Sequence, residues 1–250
     1  VRVLLITTWD TACGIATYSD NLVKELEKIG VSVEIFSDTQ TFSKLVKLAK
    51  DSMPDIVHIQ HEFGISLPNE PLLSLIGKFK TMGKPVVITP HTEDDMFNIL
   101  LDGVADAVIL HNDRKNLNKR STFSKFVNIP HGIPEISFAE SKEYYRNKYK
   151  IPKDAFVMGT CGFLTAEKSK LIEDILINTS NFMQNNNVYL HLATSSHRHD
   201  ADNRYALSVK ASIMALVKTY GLEDKVFINT TFMDTEEFRE RLYTFDLGFA

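Results

Sequence analysis

Short runs of apolar, often β-branched residues recur along the chain: VRVLLIT, VSVEIF, DIVHIQ, PVVIT, DAVIL and FVNIP, then AFVMGTC, VYLHLAT, KVFIN and FDLGFA. Their length and nearly continuous apolar character predict strands buried on both faces, as parallel sheets require. The stretches between them change period. From about Ile15, the positions Ile15, Tyr18, Leu22, Leu26 and Ile29 share one helical face, while Lys24, Glu27 and Lys28 point away. Further helices are predicted around residues 42–50 and 70–81. Strands that alternate with helices in this way predict an α/β protein of the doubly wound type.

One stretch interrupts the alternation. Residues 139–154, AESKEYYRNKYKIPKD, are polar and highly charged, and the strand-helix pattern restarts at Ala155. This predicts two domains, residues 1–152 and 153–250, with the hinge near Pro152. A chain of 250 residues that is 44% hydrophobic has room for two cores. The net charge of -4 argues against a nucleic-acid partner. Apolar runs fall short of the roughly 18 to 20 residues of a membrane span, so a soluble, cytoplasmic protein is expected. Cys13 and Cys161 are far apart and lack CxxC spacing, which reads as two reduced thiols.

The histidines follow the strands. His61 ends the run DIVHIQ, His91 follows PVVITP, His111 follows DAVIL and His131 follows FVNIP; His197 and His199 come shortly after VYLHLAT. Any one of them alone reads as a structural histidine bonded to nearby backbone. Strand carboxyl ends are, however, the ligand-binding edge of open α/β sheets. Repetition at four strand ends, marked by His61, His91, His111 and His131, therefore predicts a site, with His61 and Glu62 lining its crevice. Two turns add to it. In TTWDTACGIATYSDNL a strand runs through Gly14 and Ile15 directly into a helix, presenting free N–H groups and the positive end of the helix dipole. In GTCGFLTAEKSKL, Gly162 opens a loop and Lys168 stands near a helix start, where ammonium and dipole together suit phosphate. Neither turn matches GxGxxG or a P-loop.

Two further segments read as surface. His197, His199, Asp200 and Asp202 in HRHDAD include an Asp-x-Asp pair, a metal signature in other folds, but the simpler reading is a polar loop. Arg114, Lys115, Lys119, Arg120 and Lys125 form a basic stretch that reads as a solvated helix face, with a membrane-surface or phosphate-binding patch as the alternative.

Taken in order, CGIATYSDNL, IQHEFGI, TPHT, NIPHGIPE, GFLTAEK and YGLEDKVFIN resemble the retaining GT-B glycosyltransferases of family 4, across essentially the whole chain. The resemblance implies two Rossmann-like domains, the first on the acceptor side and the second holding a nucleotide-sugar donor. It places Gly14 and Ile15 by the donor phosphates, His91 against the donor sugar, and His131 with Gly132 where many relatives carry Asn-Gly. Lys168 takes the place of the lysine that binds the diphosphate. His61 and Glu62 join His91 as catalytic-side candidates. Phe163 and Ser169 stand where relatives often have Arg and Gly, which lowers the positive charge expected at the diphosphate.

The resemblance also implies that the paired glutamates holding donor sugar and ribose lie beyond Ala250, so the second domain is expected to be incomplete. Its mechanism needs no protein nucleophile and no metal or other cofactor: the nucleotide leaves as Lys168 and helix N-termini stabilise its charge. The acceptor is expected to be a sugar, a lipid-linked molecule or another small molecule, with peripheral membrane contact left open. A nucleotide-sugar epimerase of the same fold and a non-catalytic binding fragment remain as alternatives.

Overall fold

The computed structural model describes residues 1–11, 13–37, 42–63, 72–91, 95–111, 125–133, 135, 137–195 and 204–249. The chain forms two compact units, Val1–Glu135 and Ile136–Ala250. His197, His199, Asp200, Asp202, Arg114, Lys115, Lys119 and Arg120 lie outside the described residues.

The first unit runs β1 (Arg2–Ile6), α1 (Gly14–Lys28), β2 (Ser32–Phe36), α2 (Phe42–Ser52), β3 (Ile56–His61), α3 (Leu72–Thr81), β4 (Val86–Pro90), α4 (Asp95–Val104), β5 (Ala107–Leu110) and β6 (Phe126–Asn128). Its sheet is parallel, in the order β2-β1-β3-β4-β5-β6. The six apolar runs expected as strands all form them. Alternation along each strand sorts the side chains. Leu4, Ile6, Val57, Ile59, Val86, Ile88 and Val108 share one core with Leu45 and Ala49 of α2, Leu75, Ile76 and Phe79 of α3, and Leu101 of α4. The intervening positions His58, Gln60 and Thr89 are buried too, but they are polar and face the other way.

Helix α1 docks differently from its sequence pattern. Its buried residues are Ala16, Ser19 and Val23, whereas Ile15, Tyr18, Leu22 and Leu26 are half-buried, and Ile29 is the exposed C-cap. Small residues let the helix approach closely, and the Ser19 hydroxyl meets that of Thr7, just beyond β1, at 2.6 Å. A buried hydroxyl pair thus displaces the predicted apolar stripe to the flanks.

The second unit runs α5 (Lys142–Lys148), β7 (Phe156–Phe163), α6 (Ala166–Asn185), β8 (Val188–Ser195), α7 (Arg204–Thr219), β9 (Val226–Asn229), α8 (Thr235–Tyr243) and β10 (Leu247–Phe249). Its parallel sheet is ordered β10-β7-β8-β9. Met158, Leu190 and Leu192 pack with Ile172 and Leu176 of α6 and Ile213 and Val217 of α7.

The units part at Glu135, earlier than the hinge expected near Pro152, because α5 is tied into the second sheet. Buried Arg146 donates to the carbonyls of Lys153 (2.9 Å), Ala155 (3.1 Å) and Thr244 (3.0 Å), and to Asp246 Oδ2 at 2.5 Å. Asp246 Oδ2 also accepts the Val157 N–H at 2.8 Å, and Lys142 Nζ reaches Asp246 Oδ1 at 2.6 Å. These bonds hold the Asp246 carboxyl below its usual range against the opposing effect of burial. The charge run of 139–154 is therefore part of the domain that follows it. Among the described residues no helix is long and apolar enough to cross a membrane.

Candidate functional site

In the first unit, the carboxyl ends of β3, β4, β5 and β6 carry His61, His91, His111 and His131 in strand order. Three of these rings gather on Tyr18 of α1, with centroids 5.2 Å (His91), 5.3 Å (His111) and 4.9 Å (His131) from the phenol ring. His111 in turn lies 5.6 Å from His91 and 4.8 Å from His131. The strand order places the histidines at one edge, and α1, turning back over that edge, supplies the ring on which they meet.

Hydrogen bonds assign a proton to one nitrogen of each ring. Gln60 Oε1 can only accept, so His91 Nε2, 2.8 Å away, carries the proton. His111 Nδ1 donates to the Ile129 carbonyl at 2.9 Å, and His131 Nδ1 to the Gly132 carbonyl at 3.0 Å. In a neutral imidazole the second ring nitrogen is an acceptor. That of His111, Nε2, is buried and has no partner among the described residues. Behind this layer, Gln60 Nε2 donates to His58 Nε2 (3.2 Å), which lies 2.8 Å from the Thr89 hydroxyl. Burial, and then the neighbouring His91 and His111, push His58 down to about 4. His91 is also pushed down to about 4, by burial first and then by His111 and His131, with Glu62 opposing. Burial raises the Tyr18 phenol.

His61 is placed apart from this trio. As the residue after Gln60 it projects to the other face of the sheet, where its ring sits 5.2 Å from Phe63 and 4.9 Å from Phe97. Both of its ring nitrogens are buried and have no partner among the described residues, and burial lowers its pKa against the pull of Glu62. Asn98, next to Phe97, likewise has both amide atoms buried with no partner among the described residues.

Gly14 is the first residue of α1, behind Cys13, whose side chain makes no capping bond. A Cβ at Gly14 would meet nothing within 4 Å, and the same holds at Gly132. Tight packing among the described residues therefore does not explain either glycine.

In the second unit, β7 ends at Gly162 and Phe163, and Gly162 has φ +108°, a conformation that favours glycine. Helix α6 then begins behind Thr165, whose hydroxyl caps the Lys168 N–H at 3.2 Å. Lys168 Nζ lies 3.2 Å from the Thr160 hydroxyl. The adjacent Cys161 thiol is raised by burial, with Lys168 acting against that shift. An open depression of about 390 Å³ elsewhere in this unit is lined by Lys148, Tyr149, His191, Asn229 and Arg241, among others, none of them singled out from the sequence.

The structure thus joins His91 and His131 through His111, another of the strand-end histidines, and through Tyr18, which the sequence showed only as part of the α1 stripe, and it orients His91 through Gln60. The alternation of β3 already placed His58 and Gln60 on one face and His61 on the other. No sequence signal pointed to Tyr18. Among the described residues no group of three or more histidine, cysteine or acidic side chains is arranged to hold a metal ion.

Compared with protein-family models and with curated proteins, the chain matches none. Among solved structures it is similar to Anabaena HepE in complex with UDP and glucose, at 14% identity and a TM-score of 0.64, covering 99% of this chain and 73% of that one. It is also similar to the catalytic domain of starch synthase IV from Arabidopsis thaliana bound to ADP and acarbose, at 12% identity and a TM-score of 0.65, covering 99% and 77%. A third similar structure is the UDP-GlcNAc 2-epimerase of Methanocaldococcus jannaschii, at 10% identity and a TM-score of 0.61, covering 97% and 76%. At these identities the likeness shows the fold: two Rossmann-like units of the GT-B type.

Proposed function

We propose that this chain binds a nucleotide-sugar donor and transfers its sugar to an acceptor hydroxyl with retention of configuration. The observation that carries the proposal is the turn from β7 into α6. A lysine whose described polar partner is a neutral hydroxyl stands at the start of a helix, behind a positive-φ glycine. That combination suits a diphosphate, because helix amides and ammonium act on the same charge. The fold adds to it, since the similar HepE and starch synthase structures hold UDP and ADP.

In this reading Lys168 and the amino end of α6 stabilise the departing diphosphate, with Gly162 giving the backbone room to approach. Gly14 and Ile15, at the uncapped start of α1, offer amides to the donor phosphates. His91, held by Gln60 through Nε2, accepts a hydrogen bond at Nδ1 from a donor-sugar hydroxyl. His131 and Gly132 complete that edge, and His61 with Glu62 lines the acceptor side. The acceptor is a sugar, a lipid-linked molecule or another small molecule. No protein nucleophile enters the scheme, and no metal is required by it.

Titration calorimetry with UDP-glucose and ADP-glucose, followed by NMR of the product anomer, tests the proposal. Binding of one donor and a product with the donor's anomeric configuration are expected; no binding of any nucleotide sugar refutes it. The similarity to the epimerase supports a second reading. It requires C2 inversion of UDP-GlcNAc with no acceptor present, which the same NMR assay detects.

A further inference from the structure

Four polar side chains share one face where β3 and β4 pair. The parallel register sets Gln60 beside Thr89. His58 comes two residues before Gln60, so the pleat turns these three to one side of the sheet, and His91, two residues after Thr89, continues the row just past the strand. His58, Gln60 and Thr89 are buried, and buried polar groups are costly unless their hydrogen bonds are made. Here they connect in series. The Thr89 hydroxyl lies 2.8 Å from His58 Nε2, His58 Nε2 lies 3.2 Å from Gln60 Nε2, and Gln60 Oε1 lies 2.8 Å from His91 Nε2.

The protons in this series can run in two directions. Both rings are neutral near pH 7, because burial above all holds His58 and His91 down to about 4. With the amide as it stands, His58 Nε2 accepts from the Thr89 O–H and the Gln60 N–H, so His58 carries its proton on Nδ1, and Gln60 Oε1 accepts from Nε2–H of His91. With the amide reversed, His58 would carry its proton on Nε2, and Gln60 would donate to His91, moving that ring's proton to Nδ1. The Thr89 hydroxyl separates the two cases. Among the described residues its only hydrogen-bond partner is His58, so in the reversed series its buried proton would lack an acceptor there and bear the full cost of desolvation.

We propose that Gln60 is a positioning residue: pinned from behind by His58 and Thr89, it locks the His91 proton on Nε2, so that Nδ1 can only accept a hydrogen bond. The ligand group that meets Nδ1 must then bring a proton, as a sugar hydroxyl does. A phosphate or carbonyl oxygen in that place would set two acceptors against each other. This rests on the reading of His91 as a contact of the donor sugar, and adds to it a selection for hydroxyl over oxygen acceptors that is set by buried residues behind the ring.

Long-range ¹H–¹⁵N NMR of the imidazoles in the unmodified chain at pH 7.5 reads both tautomers. His91 is expected with its proton on Nε2 and His58 with its proton on Nδ1; Nδ1–H on His91 or Nε2–H on His58 overturns the proposal, whatever ligand the site takes. Gln60→Met keeps the length of the side chain and removes the amide. Whichever of UDP-glucose and ADP-glucose the unmodified chain binds should bind this variant about tenfold more weakly, the scale of one hydrogen bond. The matching free nucleotide, UDP or ADP, should keep its affinity. Equal losses for both, as general damage to the fold would give, or no loss for the nucleotide sugar, would overturn the selection by Gln60. If neither nucleotide sugar binds the unmodified chain, the donor-sugar reading of His91 falls; in that case, or if the variant does not fold, the NMR result alone decides the role of Gln60.

Discussion

Gly159 sits mid-strand in β7, paired with His191 of β8 on one side and Gly248 of β10 on the other. A Cβ built there would lie 2.4 Å from one atom of the Phe245 ring and 2.5 Å from two more, against the 3.4–4 Å of ordinary contact. Neither partner can retreat. The Gly159 backbone is held in the ladder on both sides, and the Phe245 ring packs on the cluster of Ile151, Ala155 and Val157, with its centroid 5.5 Å from that of His191. The Phe245 carbonyl is itself anchored by Lys142 Nζ at 2.7 Å. Forcing extra volume into a packed core costs about 1–3 kcal/mol, and an overlap this deep belongs at the upper end. Loss of glycine's freedom in the unfolded chain returns about 0.4–1 kcal/mol. Gly159→Ala should therefore destabilise the second unit by about 2 kcal/mol, read from hydrogen exchange of the β7 and β8 amides. Adding Phe245→Leu should recover part of the loss, because removing the ring removes the overlap. A neutral or stabilising Gly159→Ala, or effects of the two changes that simply add, would refute the argument.

Lys168→Ala should weaken nucleotide-sugar binding by about 1.5–3 kcal/mol, the range for hydrogen bonds to charged groups; calorimetry showing unchanged affinity in a folded protein would remove Lys168 from the phosphate site. His91→Ala should lower turnover far more than the melting temperature if the ring acts on the donor, whereas a large drop in melting with turnover spared would make it structural. Burial, and then the Arg241 guanidinium, hold His191 down to about 3, against an ordinary 6.5. The folded state thus refuses a proton that the unfolded chain accepts. Above pH 6.5 this carries no penalty; as pH falls toward 3 stability is lost at about 1.4 kcal/mol per unit, or about 2 kcal/mol between pH 7 and 5. Urea midpoints for the second unit that stay level over that interval would contradict it. Since Lys168 and helix amides carry the leaving charge in the proposed scheme, EDTA should leave turnover largely intact, and activity lost to EDTA and restored by Mn²⁺ would overturn that part.

The alternation of apolar runs with amphipathic stretches was enough to place the strands, because a parallel strand covered on both faces must be apolar along its length, and few other structures impose that pattern. The same local rule put histidines at successive strand ends, since an element's end is a property of its own residues. What lay outside reach was every contact that joins residues distant in sequence. The stripe Ile15, Tyr18, Leu22 was visible as a helical face, but the pairing of Ser19 with Thr7 that turns Ala16, Ser19 and Val23 inward depends on where β1 ends in space. Charge composition suggested a linker at 139–154, yet Arg146 is buried there by carbonyls up to 98 residues away, so the unit begins earlier. His61 and His91 looked equivalent as strand-end imidazoles. The pleat decided otherwise, sending His61 toward Phe97 while Gln60 turned to His91. Periodicity records which way a side chain points relative to its own strand; only tertiary packing determines what it meets there, and for Tyr18 that was three imidazoles from three different strand ends.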